Sequence, residues 1–172
     1  MKQPLDLLHA SGMLKQTKRR GWIERAGITN EVESVADHSF RMAIIAMLFV
    51  SDRKINSAKM VRMCLIHDLA ESVIGDILPE EKLSKSSHRK KENEVMNQIF
   101  YSLAPSTRAK FARDWKELLD SKTKEAKLVW EIDRVEMALQ KKDYERMGYD
   151  KKMLEAFSKN KFPHFAKMVK EY

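Results

Sequence analysis

Three observations predict an all-α fold. Glycine and proline, the residues that interrupt helices, number only 5 and 4 in 172 residues. Apolar residues recur at helical spacing, and the period-two alternation of a half-buried strand is nearly absent. Serine and threonine stand where those apolar stretches begin, as helix caps do. At this length the chain fits one domain over residues 1–172, large enough to bury a core. It contains no internal repeat, low-complexity tract or linker.

Pro4 suits the first turn of a helix whose apolar side holds Leu5, Leu8 and Met13 and which ends at the basic cluster before Gly21. From Trp22 to Glu33 helical periodicity is lost and Gly27 and Asn30 intervene, so an ordered loop is expected. Ser34-Val35-Ala36-Asp37 is a capping-box variant that opens a helix running to about Val50, with His38 on the stripe of Met42, Ile45 and Phe49. Ser57 caps the next helix, which ends near Gly75. On it His67 and Glu71 share a stripe with Met60, Met63, Cys64 and Ile74, and Asp68 sits about 100° round on the shoulder.

Residues 77–87, with Pro79, read as a loop over the end of that helix. Ser87 caps a helix to about Leu103 with Val95, Met96, Ile99, Phe100 and Leu103 inward. Pro105 stops it, and Ser106 opens another that carries Phe111, Trp115, Leu118 and Leu119 on one side. Thr123 begins a long helix to about Met147, its stripe formed by Val129, Ile132, Val135 or Glu136, and Leu139, with Asp133 beside it. A last helical region starts at Asp150 and breaks at Pro163.

The net charge is +8. Lysines of the C-terminal third are interleaved with acids and read as a solvated face. The cluster Lys15, Lys18, Arg19 and Arg20 contains no acid and leads into Gly21-Trp22, which suits an anion site. The single Cys64 lies on an apolar helix side, so a packed thiol in a reducing compartment is expected. Asp6 and His9 interrupt the first apolar stretch, and the longest apolar run, Met42 to Val50, is too short to span a bilayer. A cytoplasmic protein without a membrane partner follows as the expectation. The faces of Phe111 to Leu119 and of Met153 to Phe157 offer a homodimer surface, although core packing is their preferred use.

Chemistry concentrates where burial and polarity conflict. A carboxylate among apolar neighbours needs a cation or hydrogen bonds to offset its desolvation. His38, the pair His67-Asp68, and Asp133 stand in that position on three predicted helices. Each alone is more often a hydrogen-bonded core residue or a salt-bridge partner; together they make a mixed nitrogen and oxygen ligand set suited to Mn, Fe, Co, Ni or Zn. Separations of 29 residues between His38 and His67, and of 65 between Asp68 and Asp133, suit a site built between packed helices. His9, His88 and His164 lack an acidic cluster at metal spacing and read as structural.

These residues carry a family resemblance. His38, His67-Asp68 and Asp133 resemble the H…HD…D signature of the HD-domain metal-dependent phosphohydrolases. Gly21-Trp22, Glu33-Ser34-Val35-Ala36-Asp37-His38-Ser39, His67-Asp68-Leu69-Ala70-Glu71, Gly75-Asp76-Ile77 and His88-Arg89-Lys90 resemble the 5′-deoxynucleotidase branch of that family. The resemblance covers about residues 5–147 and is less clear over residues 148–172. It implies an HD-domain helical bundle, a divalent transition metal (Co, Mn, Fe, Ni or Zn) held by His38, His67, Asp68 and Asp133, and hydrolysis of deoxyribonucleoside 5′-monophosphates. It further implies that Arg19 and Trp22 lie near phosphate and sugar, with Arg20 the alternative because the match there can slip by one residue. Glu71 resembles the essential acid one turn beyond the HD pair, Asp76 an acid near the sugar, and an additional Mg or Mn ion near these two is a feature of some relatives.

The chemistry agrees with this set. A bound ion polarises a phosphoryl oxygen and acidifies water, Glu71 orients that water or protonates the departing 5′-oxygen, and a guanidinium grips the phosphate. The nearest competing expectation is an HD phosphohydrolase acting on a triphosphate, cyclic or signalling nucleotide. The non-enzyme alternative, a basic helical protein that binds nucleic acid, leaves the buried His and Asp residues unexplained.

Overall fold

The computed structural model describes residues 3–49, 54–81, 84–158 and 161–172. Among them there is no strand beyond an isolated bridge between Lys18 and Ser34. The centre is a packed trio: α3 (Val35–Met47), α4 (Ser57–Ile66) and α8 (Lys124–Arg146). The expected Ser34 capping box forms, with the Asp37 N–H donating to Ser34 Oγ at 3.1 Å and the Ser34 N–H to Asp37 Oδ2 at 2.8 Å. Thr123 caps α8, accepting from the Ala126 N–H at 3.3 Å. Met42, Met60, Met63, Cys64, Val129, Ile132 and Val135 meet in one buried core, as their helical spacing predicts.

The other helices wrap this trio: α1 (Leu5–Leu14), α2 (Arg20–Ala26), α5 (Glu71–Ile74), α6 (Lys85–Tyr101), α7 (Pro105–Asp120), α9 (Lys151–Leu154) and α10 (Ala166–Glu171). Val95, Met96, Ile99, Phe100 and Leu103 point inward as expected. Trp115 and Leu118 join the main core, while Leu154 and Phe157 belong to a second one, so both faces considered for a dimer are used largely in packing. No helix of the described residues is long and apolar enough to cross a membrane.

Several expectations are corrected. Residues 20–26 form α2 instead of a loop; Trp22 and Ala26 bury one side of it, and Gly27 ends it at φ +64°. On α1 the buried side is Ala10 and Leu14, with Leu7 packed against the core, whereas Leu5 and Leu8 are 64% and 60% exposed. Asn56 replaces Ser57 as cap, its Oδ1 accepting from the Lys59 N–H at 2.9 Å, and Ser84 replaces Ser87. Pro105 is the first residue of α7; its missing N–H has no helical partner to lose there. α3 ends at Met47, and Val50, its expected end, lies outside the described residues.

The predicted single helix from residue 57 to Gly75 is two pieces, α4 and α5, joined by the turn His67–Ala70. Leu69 and Glu71 donate to carbonyls three residues back, those of Ile66 and Asp68. This tighter winding advances each residue further round the axis than an α-helix does.

Candidate metal centre and its cavity

His38, one turn into α3, His67, just past α4, and Asp133, mid-α8, bring ligand atoms within 4.8 Å of one another. Both imidazoles are buried, and their ring centroids are 5.3 Å apart. His38 Nε2 is 3.2 Å from Asp133 Oδ1, and His67 Nε2 is 3.0 Å from Asp68 Oδ2. Neither Nε2 makes a well-angled hydrogen bond.

The opposite ring atoms are engaged. His67 Nδ1 donates to the Cys64 carbonyl at 2.7 Å, because a carbonyl only accepts; in the neutral ring the Nε2 lone pair is then free. His38 Nδ1 is bonded to Glu136. Two buried imidazole nitrogens that converge on a carboxylate, and that each offer a lone pair when the ring is neutral, are the donor set that a borderline divalent cation takes. Asp68 stands beside this trio, its Oδ2 between His67 Nε2 and an Arg19 nitrogen at 3.3 Å.

Burial works against charge at every group here, and neighbours decide the outcome. Burial and Arg19 press His38 toward its neutral form, but Glu136 and Asp133 outweigh them and raise it to about 10. Burial also opposes ionisation of Asp68, yet His67, Arg19 and His38 hold it well below the usual carboxylate range. Asp133 is lowered against burial by His38 first and then His67 and Arg19. Glu71 goes the other way: burial, then the charges of Asp68 and Asp76, push it well up, and its Oε2 is buried without a hydrogen bond. Cation binding at His38 therefore releases a proton.

The cluster forms the charged end of a cavity of about 250 Å³. Arg19, Glu71 and Asp76 line it, and Trp22, Phe157, Met137 and Trp130 supply apolar wall. Of the two neighbouring arginines, Arg19 faces the cluster, while Arg20 pairs with Glu24 and Glu81 at the surface. Asp76 Oδ2 accepts the Arg20 backbone N–H at 2.6 Å and so anchors the start of α2. Trp22 is almost fully buried; its indole N–H donates to Glu33 at 2.6 Å. Burial, followed by the charge of Glu136, raises Glu33 to about 7. A larger open groove of about 1150 Å³ borders this cavity at Pro79 and Trp130, but among the described residues it holds no comparable ligand cluster.

Sequence reasoning missed four partners. Glu136, fully buried on α8, was legible only as an anomaly in an apolar stripe, three residues from Asp133. Arg41, three residues beyond His38, donates to Glu136 at 2.8 Å. Glu33 stood only at the head of a motif and Phe157 only at the end of a candidate dimer face, and neither was assigned a place in the site.

The HD domain family model matches residues 11–171. The chain belongs to the HD domain family. The match extends past residue 147, where the motif-bearing part was expected to end. An HD domain implies a divalent metal, and His38, His67 and Asp133 form a group able to ligate one. This HD-domain chain is 36% identical over 163 residues to 5′-deoxynucleotidase HDDC2 of Homo sapiens, covering 93% of the chain and 78% of that protein. It is 40% identical over 158 residues to 5′-deoxynucleotidase hdd1 of Schizosaccharomyces pombe, covering 90% and 78%. A conserved hypothetical protein from Pyrococcus furiosus superposes with a TM-score of 0.76 at 28% identity, over 97% of both chains. The PH0347 protein of Pyrococcus horikoshii superposes at 0.74 with 26% identity, over 97% and 96%.

Proposed function

We propose that this HD-domain protein is a metal-dependent 5′-deoxynucleotidase, which hydrolyses deoxyribonucleoside 5′-monophosphates to deoxynucleoside and phosphate. The observation that carries the reading is the convergence of His38, His67 and Asp133 beside Arg19 and Glu71 at one end of a cavity of about 250 Å³. Relatives of this chain bear that activity in their names.

In this reading His38, His67, Asp68 and Asp133 hold the divalent ion, which when bound supplies Lewis acidity to the phosphoryl group and to water. Arg19 grips the phosphate. Its charge is secure, because Asp68, Asp133 and Glu33 raise its pKa despite the cost of burial, and its fork geometry suits phosphate oxygens. Glu71, which keeps its proton above the ordinary carboxylate range, delivers it to the departing 5′-oxygen. Asp76 holds the start of α2 and with it the positions of Arg19 and Trp22. Trp22, held by its hydrogen bond to Glu33, is a wall beside the sugar and excludes a 2′-hydroxyl by volume. A cytoplasmic location belongs to the same proposal; the buried Cys64 thiol, pushed up to about 12 by burial and then Asp133, is inert and suits a reducing compartment.

The test is phosphate release by purified protein supplied with Co or Mn, across deoxy- and ribonucleoside monophosphates, triphosphates and cyclic nucleotides. Rapid release confined to deoxynucleoside monophosphates is expected. Equal rates on ribonucleotides would remove the deoxy specificity, and turnover of another nucleotide class alone would overturn the assignment.

A further inference from the structure

The segment after Met147, which carries no recognised motif, reaches the cavity. Asp150 caps α9 by accepting the Lys152 N–H at 2.8 Å, and Leu154 is fully buried. A 3-10 turn, Glu155–Phe157, then places the Phe157 ring against Trp22, centroids 3.9 Å apart and planes 29° from parallel. The same ring lies over Gly21, where an added Cβ would stand 3.6 Å from it. Tyr149 ties the segment to the stretch after α2, donating to the Asn30 carbonyl at 2.9 Å.

Phe157 is only 6% exposed, yet it lines the cavity with Trp22 and Met137. The cavity lining therefore has a charged part and an aromatic part. Its charged end is the histidine and carboxylate cluster with Arg19. Trp22 comes next, its indole edge bonded to Glu33, which lies 4.0 Å from Arg19. Phe157 stacks on the Trp22 face. A ligand whose phosphate sits at the charged end has this aromatic pair within the apolar part of the same lining.

We propose that the C-terminal segment completes the substrate site, and that Phe157, braced on Trp22, is the wall against which the nucleoside base packs. This rests on the mononucleotide reading above and adds a binding residue to it. An aromatic ring there contributes through the stacked geometry of flat π-systems, which a branched aliphatic side chain of similar bulk does not reproduce.

The experiment compares a deoxynucleoside monophosphate with 2-deoxyribose 5-phosphate, which has the sugar and phosphate but no base. Phe157→Leu is expected to raise KM for the nucleotide about tenfold with little change in kcat, and to leave KM for the base-free ester unchanged. Phe157→Tyr, which keeps the ring, restores the nucleotide KM. Metal content and helicity accompany each measurement, and Phe157→Met is read in the same way should Phe157→Leu lose helicity. Equal effects on both substrates, or none on either, in a folded and metal-loaded variant overturn the proposal. If the wild type hydrolyses neither substrate, the nucleotidase reading fails. Titration of the same nucleotide by tryptophan fluorescence then decides the Phe157 assignment alone: affinity about tenfold weaker in Phe157→Leu supports it, and equal affinity or no binding overturns it.

Discussion

Glu136 on α8 holds the Nδ1 of His38 on α3, across 98 residues of sequence, and neither side chain is exposed to solvent. Arg41, one turn beyond His38, donates to the other Glu136 oxygen at 2.8 Å, so the carboxylate is fixed from both sides. This turns the His38 Nε2 toward Asp133, 3.2 Å away. A carboxylate behind a ligating histidine sets ring orientation and raises ligand basicity.

Replacing Glu136 by Gln is therefore expected to weaken metal retention about tenfold or more while helicity persists. Competition with a chelator, followed by metal analysis, measures this. Unchanged affinity would leave Glu136 with a packing role only.

Asp68 touches both His67 and Arg19. Asp68→Ala is expected to abolish turnover and lower metal content, with circular dichroism close to wild type, because the residue lies in a turn and contributes little apolar burial. A variant that kept its full metal complement would remove Asp68 from the ligand set.

Glu71→Gln retains volume and loses the ionisable proton. The expected outcome is a fall in kcat of about 10²- to 10⁴-fold with metal content unchanged. Near-wild-type turnover in that variant would exclude Glu71 as the proton donor.

Acid sensitivity has a legible contributor away from the site. Burial works against ionised Glu125, but backbone donors, including the Asn56 N–H at 3.1 Å, and then Lys59 at 3.2 Å outweigh it and lower its pKa. A carboxylate lowered in the folded state stabilises above the usual carboxylate range, and that contribution is lost as pH falls through its folded value. Glu125→Gln should thus melt a few degrees below wild type at pH 7, with the gap closing in acid; a gap that persists or widens there contradicts this sign.

The sequence by itself determined what is local. The Ser34 and Thr123 caps and the apolar stripes of α3, α4 and α8 depend on residues three or four apart, so one strand of text contains them. His38 on the α3 stripe and Asp133 beside the α8 stripe were legible for the same reason, whereas the turn that carries His67 and Asp68 beyond α4 was not. Only the tertiary structure decided the rest. α2, at seven residues, is too short to persist alone and forms because Trp22 and Ala26 bury against a second core that includes Tyr144, Leu154 and Phe157. Leu5 and Leu8 were as apolar as Leu7 and Leu14, and only the position of α1 on the bundle chose between the two sides. Arg19 over Arg20, Glu136 behind His38 and Phe157 against Trp22 are partnerships between distant segments. Their energies come from desolvation and contact that exist only once the helices are packed, so local pattern carries no trace of them.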